Sequence, residues 1–294
     1  MKLRYRDLFA GVLVTVIWGA NFSVIGLGLQ SLDAFMLTLL RFTFCAIPLV
    51  LFIQRPKGVS WLTLAVYGAL FGAGLWWVVN FAMYNGLSAG MSSVFLQFSA
   101  FFTILLSHLV LKEAITRIHM LGMLFSLAGL LLILHLSEAV STTVGIGLVL
   151  LAGVSWSLCN LIIKLKRPGD MVAFIVWSSL FAVPVIGGMT LAVEGPAPFR
   201  NLLSDLTWGA GFSIVFQCYI TTIAGYWIWN TLMKKYPAST VAPLSLLVPV
   251  SGIVTSWLLF DEQMSVAQLA AIGLVFVGIA IFVSSARLAG PQAA

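Results

Sequence analysis

Charge is what this chain has least of. Asp, Glu, Lys and Arg make up 8% of its 294 residues, against about 25% in a soluble domain. So little charge cannot wet a globular surface, which excludes a water-soluble fold. Cysteine is also scarce: Cys45, Cys159 and Cys218 each sit inside an apolar run. An odd count without clustered spacing excludes a disulfide framework and a thiolate metal site. No nucleotide-binding loop, metal cluster or nucleophile triad is present, so no cofactor, no built-in ATPase and no enzyme activity are expected. The net charge of +6 comes from scattered residues rather than a stripe, so nucleic acid is not an expected partner.

Apolar residues fill the space that charge leaves, at 61% of the chain and a mean hydropathy of +1.09. A helix needs about 20 apolar residues to cross a bilayer, so length here counts spans. Ten apolar runs are predicted as helices, at roughly 8–28, 33–53, 61–84, 90–111, 118–136, 144–163, 170–193, 208–232, 239–260 and 266–286. They are too long for strands and lack polar alternation. The basic stretch Met1 to Asp7 leads into a run too long for a signal-peptide core, which predicts an uncleaved first helix.

Charge placement gives the orientation. Of the 15 Lys and Arg residues, all but Arg41 and Arg200 fall on one side of a ten-span chain. They occupy the N-terminus, the even-numbered loops and the C-terminus. The opposite loops carry Asp33, Glu138, Glu194, Arg200, Asp205, Asp261 and Glu262. Positive loops stay in the cytoplasm, so both ends are expected there. The lipid bilayer is then the first partner.

The chain also repeats itself. Residues 89–129 align without gaps to 238–278, at a constant shift that pairs Lys112-Glu113 with Asp261-Glu262 and Gly129 with Gly278. Earlier, Trp18 pairs with Trp156, and an insertion near Glu194 to Leu206 absorbs the difference in shift. The reading is an all-α polytopic membrane protein of ten transmembrane helices. Two five-helix repeats, 1–140 and 141–294, would surround a central cavity. Five is odd, so the second repeat enters the membrane inverted, a plan common in secondary transporters.

The residues at these positions resemble a known group. Trp18-Gly19-Ala20-Asn21-Phe22 resembles the W-G-x-N-F element of the drug/metabolite transporter superfamily. Leu40-Arg41-Phe42, the segments around Glu113 and Glu262, and the run from Ala242 to Val250 fit the same pattern. The likeness covers almost the whole chain. It is closest to the EamA branch, whose bacterial members export amino acids and related metabolites, with YddG-like relatives exporting aromatic amino acids. It implies a ten-helix basket in a bacterial inner membrane. Helices 3, 4, 8 and 9 would line the cavity, helices 1 and 6 would stand beside it, and helices 5 and 10 would pack at the periphery.

Polar groups within hydrocarbon tend to face a cavity. Trp77, Asn80 and Tyr84 share one face of helix 3 at helical spacing, and Ser93, Gln97 and Phe101 one face of helix 4. Trp18 and Asn21 in helix 1, Trp156 and Asn160 in helix 6, Gln217 and Tyr226 in helix 8, and Ser245 in helix 9 complete the candidate substrate site. Pro243 and Pro249 are candidate hinges. Amides and hydroxyls suit a zwitterion, and aromatic rings supply an apolar slot. The competing reading makes each amide glue between helices. Trp61 and Trp208, at helix starts, are expected interfacial anchors, and Trp76, Trp227 and Trp229 are expected to face lipid or neighbouring helices.

Arg41 is the basic residue expected within a span. It could attract a carboxylate, but the favoured reading is a structural, snorkelling or carbonyl-bound arginine. No Asp or Glu lies near the middle of a span. Proton-coupled export of lipophilic cations, which relies on such a carboxylate, is therefore not expected. His108 could titrate, although a structural role is favoured. The expectation is a monomeric secondary transporter exporting neutral, including aromatic, amino acids and related small metabolites. Efflux of a drug, nucleoside or sugar derivative is the alternative. A lipid-modifying enzyme, with Glu113 and His119 or Asp261 and Glu262 as its acid–base groups, is a third reading.

Overall fold

A computed structural model describes residues 3–136, 143–261 and 265–288. Glu138 and Glu262 lie outside them. Among the described residues, eight helices are long and apolar enough to cross a membrane. They are α1 (Tyr5–Leu29), α2 (Ala34–Leu51), α3 (Trp61–Tyr84), α4 (Ala89–Leu111), α6 (Thr143–Lys166), α7 (Met171–Val193), α8 (Trp208–Lys235) and α9 (Ala238–Phe260). Two further apolar helices are α5 (Arg117–Leu136) and α10 (Val266–Leu288). The stretch expected to hold the insertion forms a short connecting helix, Ala197–Asp205.

Polar residues between apolar runs start the helices. The side chains of Asp33, Ser60, Ser88, Asp170 and Thr207 each accept a hydrogen bond from a first-turn N–H, at the heads of α2, α3, α4, α7 and α8. α4 and α9 both end in a left-handed residue, Lys112 (φ 57°) and Asp261 (φ 55°). These two positions are equivalent in the sequence repeat.

Besides α2, which ends in the 3-10 turn Leu49–Leu51, four helices depart from regular α geometry. Leu70–Trp77 in α3 and Phe216–Gly225 in α8 are π-helical. In α4, Gln97, Ser99 and Ala100 bond to carbonyls three residues back, at 3.1, 3.0 and 2.9 Å. In α9, Ala242–Leu247 is a 3-10 segment. Pro243 stands at its start and Pro249 at the start of the α-helical turns that follow, positions where a missing N–H breaks no helical hydrogen bond.

A large buried cluster joins α1, α2, α3, α4, α6, α7, α8 and α9. A second joins α4, α5, α9 and α10 through Val94, Ile104, Leu130, Leu246 and Val275. α5 and α10 cross closely. A Cβ on Gly129 would stand 2.7 Å from the Ala271 carbonyl, and one on Gly278 2.6 Å from the Gly122 carbonyl. Phe9, Leu105, Leu124, Leu151 and Leu258 point outward and are exposed, an apolar exterior suited to lipid.

One end of the bundle is knitted by ions. Lys164 Nζ lies 2.7 Å from Glu113 Oε1 and donates to the Tyr236 carbonyl at 2.9 Å. The other oxygen, Glu113 Oε2, accepts from the Ala238 N–H at 2.7 Å. Lys235 and the Tyr236 hydroxyl both bond Asp7. This end therefore joins the start of α1, the ends of α4 and α6, and the α8–α9 turn. At the opposite end, Ser31 and Thr207 share a hydroxyl hydrogen bond of 3.0 Å. A cleft of about 360 Å³ opens there between Gln30, Met83, Tyr84, Ser256 and Phe260.

Candidate substrate site

Between the two ends lies a small aromatic chamber. Trp18 and Phe22 from α1, Trp76 from α3, Leu96 and Gln97 from α4, Trp156 from α6, Tyr226 from α8 and Val248 from α9 line it. Its free volume is about 10 Å³, the size of one water molecule. The site is closed in this conformation.

Trp18 organises the chamber. Its ring lies 4.5 Å from Tyr226, 5.2 Å from Trp229 and 5.4 Å from Trp156, centroid to centroid. Its Nε1 donates to the Thr221 carbonyl in the π segment of α8, at 3.1 Å. Gly225 makes this possible, since a Cβ there would come within 2.6 Å of Trp18 Nε1. Trp76 Nε1 donates to the Tyr226 hydroxyl at 3.2 Å.

Two polar atoms at the chamber have no partner. Gln97 Nε2 donates to the Ser93 carbonyl at 2.8 Å, while its Oε1 accepts nothing. The Trp156 Nε1–H likewise donates to nothing. Leaving such groups buried and unpaired costs about 1–3 kcal/mol each. A ligand that supplies one donor and one acceptor would remove that cost.

Four of the residues expected from the sequence thus meet here: Trp18, Gln97, Trp156 and Tyr226. The others lie elsewhere. Asn160 is fully bonded, donating to Thr103 Oγ1 at 3.1 Å and accepting from Trp229 Nε1 at 3.0 Å. It ties α4, α6 and α8 together just behind the chamber. Asn21 is fully buried and neither atom of its amide finds a partner. Asn80 bonds Thr38 on α2, leaving Oδ1 unpaired. Trp77 packs on Phe35 and Phe81. Tyr84 is 54% exposed and lines the outer cleft. Phe101 packs on Phe98, and Ser245 bonds the Ala242 carbonyl within its own 3-10 turn. Gln217 accepts from Arg41 Nη1 at 3.2 Å.

The expected helix 3 face is therefore rotated. Trp77 and Asn80 turn toward α2, against Phe35 and Thr38, and Trp76 lines the chamber instead. Trp76 and Trp229, expected among lipid-facing or neighbouring positions, are both buried at the centre. Tyr226 and Trp229 stand three residues apart on one helical face, a spacing that could have found the second from the first. Trp61 and Trp208 are exposed at helix starts, as expected of anchors. Arg41 does not snorkel: it is fully buried and bonds side chains of α8. His108 Nδ1 bonds the Glu113 carbonyl at 2.8 Å. Glu113 is held by Lys164 and Ala238, and His119 exchanges hydrogen bonds with Thr116, so these two side chains are engaged separately.

Apolar helices closed around an aromatic chamber with unpaired polar atoms define a multi-pass membrane protein of the transporter class. Comparison with known proteins narrows the class. The model of the EamA-like transporter family matches residues 6–135 and 143–284, and the chain belongs to that family. A probable amino-acid metabolite efflux pump of Salmonella typhimurium is 33% identical over 291 residues, covering 96% of each chain. A protein with the same description from Escherichia coli is 33% identical over 293 residues, again covering 96% of each. A solved structure described as a crystal structure of protein shares the fold, with a TM-score of 0.71 at 17% identity. The match covers 98% of this chain and 100% of that one.

Proposed function

We propose that this protein exports amino acids, including aromatic and other neutral ones, and related small metabolites across a bacterial inner membrane. The observation that carries the proposal is the unpaired pair at the aromatic chamber. Gln97 Oε1 can accept from an ammonium group, and Trp156 Nε1 can donate to an acceptor oxygen. The rings of Trp18, Trp76 and Tyr226 offer an apolar slot for a side chain. The similarity to probable amino-acid metabolite efflux pumps supports the same reading.

The architecture behind it is ten spans in two inverted five-helix repeats, 1–140 and 141–294, with both termini cytoplasmic. Supporting features recur at equivalent positions of the two halves. These are the left-handed ends Lys112 and Asp261, the crossing glycines Gly129 and Gly278, and the π segments of α3 and α8. The two segments matched by the family model favour the same division. Transport then proceeds by alternating access, one half rocking on the other. The ion-paired end is the cytoplasmic gate and is closed here, and the cleft at the other end marks the exit. Pro243 and Pro249 flex α9 as the halves rock.

Proteoliposomes test the function. Purified protein should exchange radiolabelled neutral amino acids down an imposed gradient, and Gln97→Ala should reduce exchange about tenfold through loss of a hydrogen bond to a charged group. No movement of any amino acid under any gradient would overturn the reading.

A further inference from the structure

Arg41 is a buried cation without an anion. Its side chain is wholly enclosed between α2, α3 and α8. The two ion pairs found among the described residues, Lys164–Glu113 and Lys235–Asp7, lie at the gate and do not involve it. The titratable groups that act on it are Tyr226, Cys45 and Cys218, none of them a carboxylate. Its bonds go to neutral oxygens: Nε to Thr222 Oγ1 at 2.9 Å, Nη1 to Gln217 Oε1 at 3.2 Å and Nη2 to Thr221 Oγ1 at 3.5 Å. A guanidinium has five N–H donors, so one on each terminal nitrogen is left over. A charge enclosed in hydrocarbon without a counter-charge is expensive and marks a functional site.

The position of Arg41 relative to the chamber gives it a use. Its guanidinium carbon sits 3.9 Å from the centroid of the Trp76 ring. Trp76 lines the chamber and is held by the Tyr226 hydroxyl. One aromatic layer thus separates the cation from the substrate space, and that layer belongs to a π segment.

We propose that Arg41 is the carboxylate-binding group of the transport site, exposed to the chamber when Trp76 leaves Tyr226. This rests on the exporter reading above. In the closed state Trp76 and the α8 oxygens stand in for the substrate. In the open state the two spare N–H groups take the carboxylate side by side, the geometry at which arginine excels. One fixed positive charge selects a monoanion; a phosphate dianion would call for a second cation. The substrate class is therefore carboxylate-bearing metabolites, with the ammonium of an amino acid left for Gln97.

Ligand chemistry tests this in the intact wild-type protein. In proteoliposomes, labelled L-leucine and L-phenylalanine should be displaced by the unlabelled amino acids. Their carboxamides should need about tenfold or more higher concentration, the scale of one lost charge-assisted contact. Arg41→Lys should keep exchange with a raised KM, and Arg41→Gln should lose it while remaining monodisperse in detergent. Carboxamides that compete equally, or wild-type exchange in Arg41→Gln, would overturn the proposal. Should wild type move neither amino acid, the exporter reading fails, and 3-phenylpropionate against its amide becomes the probe in thermal-shift measurements. Stabilisation by the acid alone would still support the carboxylate site, and equal effects would overturn it.

Discussion

The Trp229 ring packs on Trp18 and Trp156 while its Nε1 donates to Asn160. Trp229→Phe keeps most of the packing but leaves the buried Asn160 Oδ1 unpaired, which costs about 1–3 kcal/mol. The detergent melting temperature should fall clearly, whereas Trp227→Phe, at a half-exposed ring, should leave it unchanged. Equal melting temperatures for the two variants would contradict the assignment. Gly225→Ala acts differently. The new methyl collides with Trp18 Nε1, so Trp18 must leave the Thr221 carbonyl. Amino-acid exchange should drop, and the melting temperature should fall as well, because the buried Trp18 Nε1–H loses its acceptor. At this scale the sequence was partly legible. Trp18, Gln97, Trp156 and Tyr226 stood out as polar or amphipathic groups within apolar runs, and they meet. Arg41 was visible too, but its setting was not. Only the folded chain brings Trp76 over its face and Thr221, Thr222 and Gln217 around its edge.

Helix periodicity explains where the reading of elements succeeded and failed. Among the described residues, eight of the ten runs fall on helices long and apolar enough to cross a membrane and the other two on further apolar helices, because about 20 apolar residues are hard to place otherwise. The face of α3 was misread because Trp77 and Asn80 share a side that packs on α2, against Phe35 and Thr38, and spacing alone does not say which neighbour a face meets. The π segment Leu70–Trp77 comes before that face, where i→i+5 turns take up extra residues, and no residue type marks such a turn in advance. The same argument yields a prediction. Deleting one exposed residue inside the π segment of α8, Ile220, lets that segment relax to α geometry while both flanks keep their faces. The variant should insert and fold yet lose exchange, since the Thr221 carbonyl no longer meets Trp18. Deleting Val185 from α7, which is α-helical throughout, rotates everything beyond it by about 100° and should prevent stable folding. Similar detergent stability for both deletions would remove the special role given to the π turn.

Charge placement, read across the whole chain, separates one end of the bundle from the other, and the folded structure pairs two of those basic residues, Lys164 and Lys235, with Glu113 and Asp7 at the end we propose as the gate. What the sequence could not convey is which contacts hold it, since Lys164 lies in α6 and Glu113 in the loop just past α4. Their side chains are only 7% and 19% exposed, so the pair is little screened and its loss should shift the balance between conformations. Cys159 reports that balance. It is buried in α6, one turn beyond Trp156, so a thiol reagent can reach it only after the bundle opens. In a variant lacking Cys45 and Cys218, Lys164→Gln should raise Cys159 labelling from the cytoplasmic face about fivefold or more, the response to a shift of roughly 1 kcal/mol or above. Glu113→Gln should do the same. Reversing both charges together should restore slow labelling, because the pair is remade with its ends exchanged. Labelling that rises in each single variant and stays high in the reversal would mean that Glu113 acts chiefly through the Ala238 N–H, which a lysine cannot cap. Labelling unchanged in all three would mean that the Asp7, Lys235 and Tyr236 cluster holds the gate alone.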